Sequence, residues 1–447
     1  MPEKLLSVGL DVGTTSTQMV LSELLIENQA GSFSVPKMEI TQRKVRYKSP
    51  VHFTPLKAGD LVDGEQLREL VDREYARAGV NKAEVDTGAI IITGETSRKE
   101  NAAQVLAALS EHAGDFVVAT AGPDLESILA AKGAGAVEYS ERTGKPVLHM
   151  DIGGGTSNLA LIENGKIRET ACLNVGGRLL KISPDGRLEY ISPVLKNLFF
   201  GNVGDYVNQE TVERLAQRLT EPLEMAACLR ERTVLMEELV TEEAAPLWKI
   251  LPKGTVLSFS GGVADCIAGE KPWLAYGDMG PELGAAIRKS LLCKGEYRLG
   301  AETIRATVIG AGSYSTQLSG STVFYQNILF PLKNLGVART VGQLKKLDGP
   351  GALALEGTDA PTYAQVSALA RKLAGEFVGE MAVVVTETDM AKALGQQLAL
   401  EMGPEARILC IDRVALSEGS YLDVGAPVGS ALPVVVKTLA LHGEREI

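Results

Sequence analysis

The chain has 447 residues, 45% of them apolar, with a formal net charge of −11 at pH 7 and a pI of about 5.2. No run of Lys and Arg forms a basic stripe, which argues against a nucleic-acid partner. Five scattered cysteines without a Cys-x-x-Cys pair, and four scattered histidines, argue against a disulfide scaffold, a zinc site and a histidine-based triad.

The amino-terminal segment predicts a cytoplasmic protein. Its first apolar stretch meets Asp11 too early for a signal peptide. No apolar run reaches the ~18 residues that a membrane span requires, so we expect no membrane partner. A chain of this length is expected to form two or three domains with a large buried core.

Residues 1–146 are predicted to form a first α/β domain. In chain order, we expect strands within 5–25, 37–48, 88–95 and 116–119, and helices near 64–78, 99–112 and 123–137. The helices carry apolar residues at helical spacing, as at Leu67, Leu70 and Val71, whereas the strands are short β-rich runs. Strands that alternate with helices predict an α/β domain with a mixed sheet.

The rest of the chain is predicted to form two further structural blocks, residues 147–294 and residues 295–447, with a boundary near Lys294 and Gly295. In the second block we expect strands near 147–150, 159–163, 167–174 and 255–260, a hairpin near 183–187, charged helices within 208–243 and a small-residue helix over 282–292. In the third block we expect strands at 304–309, 322–325, 382–386, 407–411 and 433–436, and helices near 363–377 and 389–402. The third block is therefore also predicted to be α/β.

Two segments, about one domain-length apart, share one pattern. They read Gly9-Leu-Asp-Val-Gly-Thr-Thr-Ser-Thr17 and Met150-Asp-Ile-Gly-Gly-Gly-Thr-Ser-Asn158. In each, an Asp ends a β-rich run, and glycines and hydroxyl residues lead into a second one. Glycines let backbone N–H groups approach a phosphate, and hydroxyls donate further hydrogen bonds. Asp11 and Asp151 suit a hydrated Mg²⁺, so two facing copies would clamp one nucleotide between two lobes.

The candidate phosphate-binding residues are those of the two turns: Gly13, Thr14, Thr15, Gly153, Gly154, Gly155, Thr156 and Ser157. Either segment alone is equally typical of an ordinary β-hairpin, and their repetition in matching contexts favours phosphate binding. No Gly-Lys-Ser/Thr follows the glycines, which excludes a Walker A loop. A strand rather than a helix follows them, which argues against a dinucleotide-binding fold.

Other segments are candidates for the rest of a nucleotide site. Gly261 and Gly262 follow an apolar strand, and their bare backbone suits contact with an adenine, although a tight strand–helix turn has the same pattern. The segment from Ile309 to Thr316 is a rival glycine-rich turn, with ligand binding and a plain change of chain direction both open. For hydrolysis, Glu95 is the candidate to orient the attacking water, with a helix cap as the alternative.

Two predicted helices are rich in small residues, at 130–136 and 284–287. Small side chains let two helices approach closely or slide, so these helices are candidates for a hinge at the base of a cleft. Close packing on a sheet is the alternative interpretation.

The order of these features resembles the actin-like ATPase superfamily of sugar kinases, heat-shock chaperone ATPases and actin. It runs phosphate turn, small-residue helix, phosphate turn, Ser-Gly-Gly turn and small-residue helix, over residues 5–292. Nearly end to end, the chain resembles the ethanolamine ammonia-lyase reactivating factors. The segments that carry this resemblance are Val147–Asn158, Leu173–Arg178, Ala306–Gly312, Thr316–Thr322 and Leu432–Lys437.

The resemblance implies a fold and a function. The fold is two ribonuclease-H-like lobes around a nucleotide cleft (residues 1–146 and 147–294), followed by a C-terminal α/β block (295–447) that is a candidate partner surface. The function is a chaperone-like, weak ATPase that uses ATP and Mg²⁺ to release damaged cobalamin from ethanolamine ammonia-lyase, so that intact adenosylcobalamin enters. Such a factor works in the cytoplasm. Whether it associates with an ethanolamine-utilisation microcompartment, and whether it forms a homo-oligomer, are both left open.

Carried over by motif, the resemblance also implies roles for single residues. Asp11 and Asp151 would hold magnesium, with Asp151 also a catalytic candidate. Thr14, Thr15, Gly154, Thr156 and Ser157 would contact phosphates, and Gly261 and Gly262 the adenosine. The role of Glu95 rests on its placement alone. Alternatives on the same fold are a small-molecule kinase, a diol or glycerol dehydratase reactivase, and an actin-like filament or scaffold protein.

Overall fold

The computed structural model describes residues 3–13, 16–29, 38–57, 61–93, 117–120, 123–241, 248–314, 316–320, 322–347, 349–358, 360–377, 381–414, 416, 420–428 and 431–438. Three sheets of five or more strands organise this part of the chain. Among the helices described there, none combines the length and apolar character needed to cross a membrane.

The first sheet has the strand order β3-β2-β1-β5-β6, with a short strand β4 beside β2. Its elements are β1 (Glu3–Val12), β2 (Ser16–Asn28), β3 (Met38–Lys48), β4 (His52–Phe53), α1 (Gly64–Ala78), β5 (Thr87–Ile92) and β6 (Val117–Thr120). The first three strands run antiparallel, and β5 and β6 run parallel to β1. Helix α1 begins at the N-cap Asp63, whose carboxylate accepts two backbone N–H groups.

The second sheet has the order β9-β8-β7-β12-β13. The elements from here to its last strand are α2 (Pro123–Gly133), α3 (Ala136–Thr143), β7 (Val147–Ile152), β8 (Ser157–Glu163), β9 (Lys166–Leu173), β10 (Leu180–Ile182), β11 (Leu188–Ile191), α4 (Gln209–Ala226), α5 (Val234–Leu239), β12 (Val256–Ser260), α6 (Ala264–Ala268), α7 (Gly280–Lys289) and β13 (Tyr297–Leu299). Strands β7, β8 and β9 are antiparallel, and β12 and β13 run parallel to β7. The predicted hairpin near 183–187 is the pair β10–β11.

The two sheets therefore have the same topology. In each, a three-stranded antiparallel meander is followed by two strands parallel to its first strand, which is the arrangement of a ribonuclease-H-like lobe. The predicted fold class, an actin-like ATPase with two such lobes, is confirmed. The largest apolar core lies in the second lobe, between its sheet and helices α4 and α7, with Leu219, Leu223 and Leu283 fully buried.

The third sheet has eight strands in the order β14-β21-β20-β16-β17-β18-β19-β15. Its region contains α8 (Ala306–Tyr314), β14 (Thr316–Leu318), β15 (Phe324–Gln326), β16 (Leu332–Ala338), α9 (Val341–Leu344), β17 (Gly351–Leu355), α10 (Tyr363–Ala374), β18 (Ala382–Thr386), α11 (Ala391–Met402), β19 (Ile408–Asp412), β20 (Ser420–Val424) and β21 (Pro433–Thr438). The four central strands, β16 to β19, are parallel. Their carboxyl ends consequently lie at one edge of the sheet.

Helix α8 corrects two predictions, because residues 304–309 were expected to form a strand and 309–316 a turn. The helix packs against α2 and against β1. A Cβ added to Gly310 would lie 2.0 Å from the carbonyl oxygen of Leu129, and one added to Gly9 would lie 2.3 Å from that of Val308. Close packing thus overrides the β propensity of Val308 and Ile309.

The helix pair at the junction of the lobes is consequently α2 with α8. The other small-residue segment, 284–287, lies in α7 and packs against α6. A Cβ on Gly284 would lie 2.3 Å from the Cβ of Cys266. The close approach of α7 is thus to another helix and not to a sheet, and a hinge role for this helix stays a prediction.

Candidate functional site

The two glycine-rich turns are closed by equivalent backbone hydrogen bonds. Val12 pairs with Thr17 across the first hairpin, and Ile152 pairs with Ser157 across the second, so each turn has four residues. In the first turn the N–H of Gly13 donates to the carbonyl of Ser16 at 2.9 Å, and in the second the N–H of Gly153 donates to that of Thr156 at 2.9 Å. The repetition seen in the sequence is therefore a repetition of structure.

The second turn leaves backbone open to a ligand. Gly154 and Gly155 are exposed, and a Cβ added to Gly155 would have no atom within 4 Å. Thr14 and Thr15, the corresponding residues of the first turn, lie outside the described residues. Exposed N–H groups on a glycine turn suit the oxygens of a phosphate.

A loop that contains Gly176 and Gly177 supports the second turn. The N–H of Gly177 donates to the carbonyl of Gly153 at 2.9 Å, and the N–H of Arg178 donates to that of Gly154 at 2.7 Å. A Cβ on Gly176 would lie 2.3 Å from the oxygen of Gly154, so only glycine fits there. The Ser157 hydroxyl donates to this same loop, at the Val175 carbonyl (2.7 Å). The buried Ser157 side chain thereby ties the turn to its support.

Asp11 lies at the end of β1, beside the first turn. The hydroxyl of Thr93, which follows β5, donates to its Oδ1 at 2.8 Å. The pKa of Asp11 is raised to about 7. Desolvation is the main cause, the charge of Asp151 adds to it, and the Thr93 hydrogen bond opposes it. The carboxylates of the two lobes are thus close enough to repel each other, which a bound cation would reverse.

Asp151 occupies the equivalent position at the end of β7 and is buried. The Ser260 hydroxyl donates to its Oδ1, and the Thr307 hydroxyl donates to its Oδ2 at 3.4 Å. Burial raises the pKa of Asp151 to about 6, although both hydrogen bonds oppose the rise. Thr307 belongs to α8, so this carboxylate also contacts the helix at the junction of the lobes.

A buried histidine determines the direction of the hydrogen bonds that reach Asp151. His149 Nε2 lies 2.9 Å from the Ser260 oxygen, and its Nδ1 lies 3.1 Å from the Ser258 oxygen. Burial lowers the pKa of His149 to about 3, so the ring is neutral at pH 7. Because Ser260 donates its proton to Asp151, it accepts from Nε2–H, and Nδ1 accepts from Ser258. Sequence reasoning set the histidines aside and missed this one.

Two buried amide oxygens lie beside the carboxylates. Gln18 is the cross-strand partner of Asp11, and Asn158 is that of Asp151, so each pair shares one face of its sheet. The Oε1 of Gln18 and the Oδ1 of Asn158 meet no hydrogen-bond donor among the described residues. Buried acceptors without donors are costly unless water or an ion satisfies them.

These oxygens test whether magnesium fits the site. Mg²⁺ binds oxygen ligands, holds on to several waters, and needs only one or two carboxylates. Within the described residues there is no cluster of three or more His, Cys, Asp and Glu side chains that suits a metal. Two carboxylates and two orphaned amide oxygens therefore fit a hydrated Mg²⁺ bound with a phosphate, and they do not form an all-protein metal cage.

The predicted adenosine turn lies next to a segment that contacts both lobes. Gly261 has a φ of +85° and its added Cβ would lie 2.3 Å from the Ile152 oxygen, so its conformation requires glycine. Its N–H donates to the carbonyl of Thr303 at 3.0 Å. The next carbonyl along, that of Ile304, accepts from Gln18 Nε2 at 3.2 Å. Gly262 is half-buried beside Ile304.

The segment from Thr303 to Thr307 thus connects the first carboxylate region, the second carboxylate and the Gly261 turn. Arg305 adds a bond from its Nη2 to the carbonyl of Ser49 at 2.9 Å. Sequence reasoning missed this segment, since Thr and Ile favoured a strand there. Glu95, the predicted water-orienting residue, lies outside the described residues.

The family model and the two curated relatives agree with one another. The family model described as "Ethanolamine utilisation protein EutA" matches residues 3–442. The chain is 38% identical to ethanolamine ammonia-lyase reactivase EutA of Salmonella typhimurium and 37% identical to that of Escherichia coli, over 98% of each chain in both cases. Among solved structures, the chain is similar to the Ppx/GppA phosphatase of Aquifex aeolicus, with 14% sequence identity and a TM-score of 0.39. The match covers 69% of this chain and 99% of the phosphatase. The chain belongs to the ethanolamine utilisation protein EutA family.

Proposed function

We propose that this protein is a magnesium- and ATP-dependent reactivating factor for ethanolamine ammonia-lyase. The observation that carries the proposal is the pair of equivalent turns, each with a carboxylate at its base, on two lobes of one topology. The reactivase names of the two bacterial relatives supply the client enzyme.

In this proposal the turns hold the nucleotide from two sides. The N–H groups of Gly154 and Gly155 donate to phosphate oxygens, and the bare backbone of Gly261 and Gly262 faces the adenosine. Bound Mg²⁺ would neutralise phosphate charge. Asp11 and Asp151 hold its waters, aided by the orphaned oxygens of Gln18 and Asn158.

Hydrolysis needs a group that orients a water at the γ-phosphate. We assign this role to Glu95, because Thr93, two residues earlier, already contacts Asp11 at 2.8 Å. Strand β5 therefore ends at the proposed metal end of the site.

In this proposal, the junction of the lobes couples the bound nucleotide, ATP or ADP, to the conformation of the protein. The segment Thr303–Thr307 contacts Gln18, Asp151 and Gly261, so a change at the phosphates is transmitted to helix α8. A client enzyme that binds the ATP and ADP forms unequally is then driven between two conformations. Release of damaged cobalamin from the lyase is the proposed outcome, and the block 295–447 is the proposed contact surface.

The test is recovery of inactivated ethanolamine ammonia-lyase. The lyase is first inactivated with cyanocobalamin and then given this protein, Mg-ATP and free adenosylcobalamin, while ethanolamine deamination is followed. We expect recovery that requires both ATP and this protein and that is lost with Asp151→Asn. The matched control, Asp185→Asn, removes an exposed carboxylate from the β10–β11 hairpin and should retain activity.

Recovery without nucleotide would contradict the role of ATP, whereas ATP hydrolysis without recovery would contradict the client. Phosphorylation of ethanolamine or another small alcohol would instead identify a kinase of the same fold. The three outcomes have different products and are separable in one reaction mixture.

A further inference from the structure

The third sheet brings two aspartates together at the carboxyl ends of its parallel strands. Asp412 ends β19, and Asp389 lies in the loop after the neighbouring strand β18. Their carboxyl groups are within hydrogen-bonding reach of each other. The carboxyl edge of a parallel sheet is where α/β proteins bind ligands. Neither aspartate belongs to the nucleotide site.

The surroundings of Asp412 leave one of its oxygens without a donor. The side chain is fully buried. The hydroxyl of Thr322 donates to Oδ2, but Oδ1 meets no N–H or O–H donor among the described residues. Gly320 packs beside Oδ1, where an added Cβ would lie 2.1 Å away. The carboxyl group of Asp389 lies within hydrogen-bonding reach of Asp412, and two ionised carboxylates have no proton to share, so a proton or a cation is needed between the two acids.

The neighbouring positive charges offset Asp412 only in part. The charge of Arg413 lowers the pKa of Asp412, but its Nη2 lies 3.0 Å from Asp389 Oδ2, so one guanidinium serves two carboxylates. Arg339 Nη1 lies 3.3 Å from Glu387 Oε1, so these two arginines face three carboxylates and leave one excess negative charge. Burial raises the pKa of Asp412 to about 6, so at pH 7.5 the carboxylate is mostly ionised at a cost in stability.

We propose that Asp389 and Asp412 bind a divalent cation of the Mg²⁺ class, with the Thr322 hydroxyl oxygen beside it. Hard oxygen ligands in this number suit Mg²⁺, which uses one or two carboxylates and keeps its remaining waters. The side chain of Asp389 is 40% exposed, so a hydrated ion reaches the pair from solvent. Such an ion would tie the loop after β18 to the end of β19, within the block proposed as the client surface.

The test uses the full chain without nucleotide, with Mn²⁺ alone as the probe and electron paramagnetic resonance to count bound ions. It is run in wild type and in Asp151→Asn, so that binding at the nucleotide site is separated from binding at the third sheet. We expect Asp151→Asn to keep one Mn²⁺, and Asp412→Asn or Asp389→Asn added to it to weaken that binding at least about tenfold. The control, Glu401→Gln, removes a carboxylate of helix α11 that pairs with Arg371.

Mn²⁺ should also raise the thermal midpoint of Asp151→Asn, and that rise should vanish with Asp412→Asn. Equal Mn²⁺ binding with and without Asp412 would overturn the proposal. So would an Asp412→Asn variant that is more stable than its parent at pH 7.5 whether or not Mn²⁺ is present, because the pair would then hold only a proton. Because the readout needs neither ATP nor the lyase, it does not depend on the function proposed above.

Discussion

At the scale of single residues, the two carboxylates at the bases of the turns are held in a state that disfavours their own charge. Burial raises the pKa of Asp151 to about 6 and that of Asp11 to about 7, and Asp151 adds repulsion to Asp11. Without a metal, the two carboxylates carry a stability cost at neutral pH, which the proposed Mg²⁺ would remove. Such perturbed groups concentrate at functional sites.

The first prediction concerns stability without metal. An acid whose folded pKa is raised stabilises the fold below its unfolded pKa and loses that contribution as pH rises through the folded value. For Asp151 this window runs from 3.8 to about 6, and a shift of ~2 units corresponds to at most about 3 kcal/mol. In EDTA at pH 7.5, Asp151→Asn should thus raise the free energy of unfolding in urea, with the difference shrinking towards pH 4. An equally stable or less stable variant at pH 7.5 would contradict the assignment.

The second prediction concerns His149. Its Nε2–H fixes Ser260 as a donor to Asp151, so His149→Leu should let the Ser260 hydroxyl rotate away from the carboxylate. Loss of such a supporting hydrogen bond lowers metal affinity by about 10–100-fold. We expect a higher Mg²⁺ requirement for ATP binding, with nucleotide binding in EDTA unchanged.

His149→Gln restores an N–H donor and should recover part of the Mg²⁺ affinity. Equal loss in both variants, or loss of nucleotide binding in EDTA as well, would show that His149 acts only by filling the core. Titration calorimetry separates the two outcomes.

At the scale of elements, the crossing of α2 and α8 is the tightest feature at the junction of the lobes. A Cβ on Gly133 would lie 1.8 Å from the oxygen of Ala306, and one on Gly310 would lie 2.0 Å from that of Leu129. In both cases the obstacle is backbone, which cannot rotate away. The two helices must therefore separate if either glycine is replaced.

The third prediction follows from this crossing. Gly310→Ala should lower the free energy of unfolding by about 1–3 kcal/mol, the usual range for overpacking, and should reduce ATP turnover because Thr307 shifts with the helix. Gly375→Ala is the control, since its φ is −66° and an added Cβ makes only ordinary contacts. Scanning calorimetry and an ATPase assay on both variants check it, and an unaffected Gly310→Ala would contradict the described packing.

The same crossing shows where sequence reasoning reached its limit. Asp11 and Asp151 were predictable as a pair, because a local pattern of Asp, Gly and hydroxyl residues was repeated. Helix α8 was predicted as a strand and a turn, because Val308 and Ile309 have β propensity. The contact that requires glycine at position 310 is with Leu129 of helix α2, which the local sequence does not reveal. Tertiary contacts decided the conformation, and no local pattern encodes them.

In the region of the third sheet, too, some elements were predicted from the sequence and others were missed. Strands β18 and β19 and helices α10 and α11 are continuous apolar or amphipathic segments and were predicted within a few residues. Strands β16, β17 and β20 were missed, since Gly336 interrupts β16, Gly351 begins β17 and the polar Ser420 begins β20. His149 was missed because its role depends on Ser258 and Ser260, more than a hundred residues away in the chain.

At the scale of the whole molecule, two lobes of one topology are connected by a segment that contacts the candidate site from both sides. Gln18 and Ser49 of the first lobe and Asp151 and Gly261 of the second all bond to residues between Thr303 and Thr307. The third sheet follows this segment directly through α8. Nucleotide exchange is therefore expected to move the third sheet relative to the lobes, which is the motion that a client enzyme would sense.

The most direct test of this account is a calorimetric titration of ATP, with and without Mg²⁺, into the wild-type protein and Asp151→Asn. We predict that Mg²⁺ tightens ATP binding to the wild type, and that Mg-ATP binding to Asp151→Asn is weaker by at least about tenfold and no longer responds to Mg²⁺. Equal magnesium-dependent binding by a folded Asp151→Asn protein would contradict the placement of the metal and the nucleotide between the two turns.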